Sequence, residues 1–227
     1  MIKAVIFDLD NTLLDFMKMK SMSIDAAIYG MIEAGLDLDP KFAKKNIYMI
    51  YDEKGYEYQE VFNQFIIEVC GEIDYRYLAA AIVSYRKAKE ASLTLYPDVN
   101  STLIKLSKMG MKLGVVSDAP SREAWIRIFS LNMHHFFDKV VTFDDTNKRK
   151  PSKEPFQKII DEFNIPANEM IMVGDWPERD VIGAKQVGMK TAFAKYGDTF
   201  ETINSGADYD LGNISQLYNI VLGENGE

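Results

Sequence analysis

Residues 2–7 (IKAVIF) form a run of strand character that stops abruptly on Asp8. Four more short apolar runs follow, at 112–116 (KLGVV), 139–143 (KVVTF), 170–173 (MIMV) and 190–194 (KTAFA). Between these runs the spacing becomes helical. Residues 99–109 carry Val99, Leu103 and Leu106 on one face, and residues 122–131 carry Trp125, Ile128 and Phe129 on one face. Segments 154–163 and 178–187 repeat the pattern. Strands that alternate with helices predict a parallel sheet with helices on both faces and right-handed crossovers.

Residues 15–93 interrupt this alternation. They contain no clear strand, but helical spacing at 19–33, 40–52, 58–69 and 75–91, with Gly35, Gly55 and Gly71 between the segments as helix stops. The sequence therefore predicts an α/β core in two pieces, 1–14 and 94–227, and an inserted all-helical cap, 15–93. The insertion begins just beyond Asp8 and Asp10, which the cap is expected to overhang.

Composition narrows the functional classes. The chain has 227 residues, 47% apolar and 26% charged, the balance of an ordinary globular protein. A formal net charge of −8 disfavours nucleic acid as a partner. An anionic substrate would need a local positive feature: a lysine, a metal ion or a helix N-terminus. The single cysteine, Cys70, excludes an internal disulfide and a zinc–thiolate cluster, and is expected to be a small buried apolar residue. Two histidines, His134 and His135, are too few for a multi-histidine metal site, and are expected at the surface or near a helix end. No stretch reads as a secretory leader or a membrane span, which makes the cytoplasm the default location and a membrane partner unexpected.

Open parallel sheets bind ligands beyond the carboxyl ends of their strands. The residues there are Asp8, Asp10, Asn11 and Thr12 after the first run, and Ser117 and Asp118 after KLGVV. Lys148, Arg149, Lys150 and Pro151 follow KVVTF, and Gly174, Asp175, Trp176, Pro177 and Asp180 follow MIMV. Several carboxylates, a hydroxyl and a lysine in one crevice suit Mg²⁺ with a phosphorylated substrate, because Mg²⁺ takes hard oxygen ligands and a substrate phosphate. One carboxylate could attack phosphorus, a second could protonate the leaving oxygen, and Ser117 and Lys150 could grip the phosphoryl oxygens.

These motifs resemble those of the haloacid dehalogenase superfamily of hydrolases. Asp8, Asp10 and Thr12 match its D-x-D-x-T/V motif, Ser117 its strand-terminal Ser or Thr, Lys150-Pro151 its lysine, and Gly174, Asp175 and Asp180 its G-D motif with a second acid. All four occur in order, and the helical insert resembles the C1 cap. The resemblance implies a Rossmann-like α/β core. It also implies Asp8 as nucleophile, Asp10 as acid and base with a backbone carbonyl on Mg²⁺, and Asp175 as metal ligand. Asp180 would bind the metal directly or through water, or orient Lys150. Ser117, Lys150, Thr12 and Asp118 complete the set as candidate phosphate-binding residues. Asp118 stands where many relatives have Asn, so it is expected to face the backbone or the leaving group.

The acid at position 10 points to a phosphatase of small phosphate esters, since dehalogenase and phosphonatase members lack it. The alternatives are a phosphomutase of the β-phosphoglucomutase type, weakened by the absence of histidine from the insert, and a non-catalytic phosphate-binding module. Structural roles compete for the remaining residues. Ser117 could cap a helix, Lys148 and Arg149 are expected in solvent, and Asp144 and Asp145 in a loop. Met17, Met19 and Met22 are expected to fill a core, and Tyr48, Tyr51, Tyr56 and Tyr58 to pack or lie at the insert's surface.

Overall fold

The computed structural model describes residues 1–226. It divides into two compact units, Met1–Asp15 with Thr94–Glu227, and Phe16–Leu93. The first unit is built on a six-stranded parallel sheet: β1 (Ala4–Phe7), β2 (Lys112–Val116), β3 (Lys139–Val141), β4 (Met170–Gly174), β5 (Lys190–Ala194) and β6 (Tyr209–Leu211). Their spatial order is β3-β2-β1-β4-β5-β6. Every residue of β1 and β4 is buried, as expected of central parallel strands covered on both faces. Alternation along β1 sends Ala4 and Ile6 to one face, where they meet Phe156 and Ile159 of α8 (Lys153–Phe163) and Ala184 of α9 (Ile182–Gln186).

The second unit is all helical: α1 (Phe16–Glu33), α2 (Pro40–Lys54), α3 (Val61–Cys70) and α4 (Tyr75–Ser92). Asp39 caps α2 by accepting the Phe42 N–H, Asp74 caps α4 by accepting the Arg76 N–H, and Gly55 and Gly71 close α2 and α3. Its core joins Ile24 and Ile28 of α1, Ile47 of α2, Phe65 and Ile66 of α3 and Leu78 of α4. Met19 is fully buried, whereas Met22 is exposed. Tyr51 is buried in this core, and Tyr48, Tyr56 and Tyr58 pack against it.

The chain leaves and re-enters the first unit through a short antiparallel stem. Leu14 bridges Leu95, the Asp15 N–H donates to the Thr94 carbonyl (3.1 Å), and the Tyr96 N–H donates to the Leu13 carbonyl (3.0 Å).

Several sequence expectations are corrected. The strand expected to reach Phe143 ends at Val141, because Thr142 caps a one-turn helix, α7 (Phe143–Thr146). The Thr142 N–H and hydroxyl both donate to Asp145 Oδ2, and Asp144 accepts the Ser121 N–H, so these acids cap helices instead of lining a loop. The helix expected over 178–187 opens with a π-helical turn, Pro177–Val181, before α9. The strand β6 and the helix α10 (Gln216–Asn225) were not evident in the sequence. Cys70 is exposed, because it is the last residue of α3 and sits at the helix's free end. In α5 (Val99–Lys108) the expected apolar face is buried. In α6 (Ser121–Ser130) the buried face is instead Glu123, Ala124, Arg127 and Ile128, leaving Trp125 and Phe129 exposed. Both histidines are exposed, with His134 stacked on Phe129 at 4.5 Å. Among the described residues no helix is long and apolar enough to cross a membrane.

Helices α1 and α4 approach closely at Gly30, where a Cβ would lie 2.4 Å from Ser84 Oγ and 2.9 Å from the Ala80 carbonyl oxygen. Helix propensity favours replacing this glycine by about 1 kcal/mol. Overpacking against a backbone carbonyl works the other way, by about 1–3 kcal/mol. Gly30→Leu is therefore expected to lower the urea midpoint of the folded chain; an unchanged or higher midpoint would show that the helices are not in close contact here.

Candidate active site

The order of chain connections reverses between β1 and β4, the place where an open parallel sheet forms a crevice at its carboxyl edge. Asp8 follows the last residue of β1, and its N–H donates to the Val173 carbonyl (2.8 Å), extending the β1–β4 ladder by one residue. Asp175 follows the last residue of β4. The Ser117 N–H donates to the Val141 carbonyl (2.9 Å) and extends the neighbouring β2–β3 ladder in the same way. Strand pairing therefore fixes the backbone from which these side chains project.

Lys150 occupies the centre. Its Nζ donates to Asp8 Oδ1 (2.5 Å), to Asp180 Oδ1 (2.6 Å) and to the Val116 carbonyl at the end of β2 (3.0 Å). An ammonium has three N–H donors, and each finds an acceptor. The lysine and Asp180 side chains are each 2% exposed. Thr12 Oγ1 lies 3.2 Å from Asp175 Oδ1 and 3.4 Å from Asp8 Oδ2, linking the two carboxylates with one hydroxyl. The π-helical turn turns Asp180 back toward the strand end. Its N–H donates to the Trp176 carbonyl (2.7 Å), and its Oδ2 accepts the Trp176 N–H (3.0 Å). Gly174 makes room for this return: a Cβ there would stand 2.3 Å from the Asp180 carboxyl carbon.

The electrostatics follow from this crowding. Burial pushes the Asp8 carboxyl up to about 7; the positive charge of Lys150 opposes the rise, and Asp180 and Asp10 add to it. Asp175 is held well above the usual carboxylate range by burial and then by Asp8 and Asp180. Burial disfavours the charge on Lys150, but Asp180 and Asp8 outweigh it and hold the ammonium above the ordinary lysine range. Burial is also the main reason that the Tyr196 hydroxyl, which donates to the Thr12 carbonyl (2.8 Å), is harder to ionise than a free phenol.

Three buried carboxylates thus face one ammonium, and the cluster lacks positive charge. Asp8, Asp175 and Asp180 each offer an oxygen, and these oxygens all lie within 4.8 Å of one another. All are hard donors, and a divalent cation among them would offset the burial and the mutual repulsion that raise Asp8 and Asp175. The residues present therefore fit a metal ion.

Of the residues singled out in the sequence, Asp8, Thr12, Lys150, Asp175 and Asp180 converge. Ser117 is buried at the adjacent strand end, where its Oγ accepts the Ala119 N–H (3.1 Å). The Asp118 carboxylate turns to the backbone: Oδ1 accepts the Lys150 N–H (2.8 Å) and Oδ2 accepts from Arg179 Nη1 (3.0 Å). It thereby ties the lysine-bearing loop to the end of β2. Lys148 and Arg149 are exposed. Asp10 Oδ2 accepts from Arg127 Nη1 (2.8 Å). Arg127, Arg179 and Tyr196 were not singled out in the sequence. The available signal for Arg127 was its place with Ala124 and Ile128 at helical spacing, but its charge made solvent the default reading.

The family model for "haloacid dehalogenase-like hydrolase" matches residues 5–194. A protein named glyceraldehyde 3-phosphate phosphatase from Methanocaldococcus jannaschii is 33% identical over 224 residues, covering 97% of each chain. One of the same name from Pyrococcus furiosus is 32% identical over 228 residues, covering 99% of this chain and 95% of its own. The solved structure of a haloacid dehalogenase phosphatase from Thermococcus onnurineus superposes with a TM-score of 0.73 at 25% identity, over 97% of this chain and 98% of its own. Matched over most of its length by the family model, with the motif carboxylates and lysine gathered at one strand edge, the chain belongs to the haloacid dehalogenase-like hydrolases.

Proposed function

We propose that the protein is a Mg²⁺-dependent phosphatase that hydrolyses a small phosphorylated metabolite through an aspartyl-phosphate on Asp8. The observation that carries this reading is the ammonium of Lys150 held between Asp8 and Asp180, with Asp175 in the same cluster of carboxylates. Two relatives that span nearly the whole chain bear the name glyceraldehyde 3-phosphate phosphatase, which makes that triose phosphate the first substrate to test. A mutase that relays a proton through a histidine of the helical unit finds no histidine between residues 16 and 93.

In this reading an oxygen of Asp8 attacks phosphorus in line with the leaving alkoxide. The bond from phosphorus to the leaving oxygen breaks, and Asp10 gives that oxygen its proton. Asp10, now a carboxylate, then takes a proton from water as the water attacks the aspartyl-phosphate, which frees inorganic phosphate and regenerates Asp8. Lys150 and Ser117 contribute positive and hydrogen-bonding groups to the phosphoryl oxygens, and Asp180 and Asp118 keep the lysine in place. Asp8, Asp175, the Asp10 carbonyl and Asp180, directly or through water, would hold Mg²⁺, which supplies charge stabilisation to the transferring phosphoryl group.

Asp8→Asn is expected to cut phosphate release from glyceraldehyde 3-phosphate by on the order of 10⁴-fold or more, as removal of a nucleophile does elsewhere. Full Mg²⁺-dependent turnover in that variant would remove Asp8 from the role. Asp10→Asn is expected to lower kcat/KM, which reports the steps up to loss of the leaving group, by about 10²–10⁴-fold on an alkyl phosphate, the range of general acid catalysis, and far less on p-nitrophenyl phosphate, because nitrophenolate leaves without a proton. Equal losses on the two substrates would contradict the acid role.

The raised carboxyl of Asp8 fixes the sign of a third expectation. Below about 7 the Asp8 carboxyl keeps its proton, which a cation must displace; above it Asp8 is charged and open to the cation. The rise in melting temperature on adding Mg²⁺ to chelator-treated protein should therefore be larger at pH 8 than at pH 5. A shift independent of pH, or no shift, would argue against metal binding at these carboxylates.

A further inference from the structure

Arg127 heads the largest side chains that the fold buries completely, with 1% of its side chain exposed. Arginine is almost never enclosed in this way unless its charge is paired. It lies two turns into α6, on the buried stripe that also carries Ala124 and Ile128. Its Nη1 donates to Asp10 Oδ2 at 2.8 Å, a charge-assisted hydrogen bond that reaches from the helix after β2 to the loop after β1. None of the four strand-end motifs includes it.

We propose that Arg127 is a positioning residue for the hydrolysis: by holding Asp10 Oδ2 it fixes the rotation of that carboxylate and assigns proton exchange with the substrate to Oδ1. The proposal rests on the reading of Asp10 as acid and base given above. Asp10 sits in a loop, followed by Asn11 in the left-handed region (φ 57°), so the strand does not fix its side-chain rotation. A proton donor must come within hydrogen-bond reach of the leaving oxygen, and small misplacements are costly. A guanidinium has donors only and does not give up its proton in proteins, so the oxygen facing it takes no part in proton traffic. Its planar fork also fixes the plane of a carboxylate better than the point charge of a lysine. The helix provides a firmer base for this hold than a loop would.

Kinetics on two substrates test the idea: an alkyl phosphate, whose leaving oxygen needs a proton, and p-nitrophenyl phosphate, whose leaving group does not. In Arg127→Met, kcat/KM, which reports the steps up to loss of the leaving group and not the later hydrolysis of the aspartyl-phosphate, should fall by about 30-fold or more on the alkyl phosphate and by less than about 3-fold on p-nitrophenyl phosphate, the signature of lost general acid catalysis. In the background of Asp10→Asn, adding Arg127→Met should change the alkyl phosphate rate by no more than about twofold, because the arginine acts through Asp10. Arg127→Lys, which keeps a cation in nearly the same volume, should show the same selectivity to a smaller degree, and it decides the matter if Arg127→Met does not fold. Equal losses on both substrates, no loss on either, or a full second loss in the double variant would overturn the proposal and leave Arg127 as structural support. The single variant Asp10→Asn separates the two levels. If it lacks the selectivity, the acid role of Asp10 falls; if it shows the selectivity and the Arg127 variants do not, only the positioning role falls.

Discussion

One buried ammonium organises the site. Lys150 Nζ sits among Asp8, Asp180 and the carbonyl that ends β2, with no exposed route for its charge to be hydrated. A lone lysine at that depth would lose its proton, and lone carboxylates would keep theirs. Together they keep the ammonium charged, but one lysine does not offset the burial that raises the Asp8 and Asp175 carboxyls. That imbalance is what a cation among these carboxylates would relieve. In the proposed reaction the metal and the phosphate would each offset the charge of the other.

The rest of the α/β unit holds this cluster at short range. Strand ladders extended by one residue fix Asp8 and Ser117, and the wide turn after β4 brings Asp180 back over Gly174. Asp118 and Arg179 pin the loop that carries Lys150, while Arg179 also stacks on Trp176 with its guanidinium carbon 3.7 Å from the ring centroid. These supports come from elements far apart in sequence, and each ends on a hydrogen bond with ordinary geometry. The site is therefore preorganised by the secondary structure, in the manner expected of a scaffold that places chemistry at strand ends.

Much of this was legible in the sequence, for identifiable reasons. Central parallel strands are apolar on both faces, so AVIF and MIMV stand out, and the acids that terminate them mark the carboxyl edge of the sheet. The break in alternation after Thr12 exposed the helical insert. Less legible were features in which side-chain chemistry overrides pattern. Thr142 and Asp145 convert an apparent strand end into a capped turn, a local exchange of hydrogen bonds that hydrophobic spacing does not register. The strand β6 is three residues long and carries an aspartate, too short to show alternation. Arg127 was hidden because its burial depends on a partner over a hundred residues away in the chain. Asp118 was expected to face the backbone or the leaving group; its carboxylate accepts the Lys150 N–H, and its link to Arg179 was not foreseen.

The stem at Leu14 and Leu95 has an evolutionary consequence. The chain departs from the sheet and rejoins it at paired backbone positions, so the ends of the insert are already tied together. The entropy of closing such an excursion grows only slowly with its length. Whatever occupies the interval between those two leucines can be exchanged, lengthened or remodelled while the carboxylate–lysine cluster keeps its scaffold. One contiguous segment can then be replaced without rebuilding the sheet edge that carries Asp8, Lys150 and Asp175.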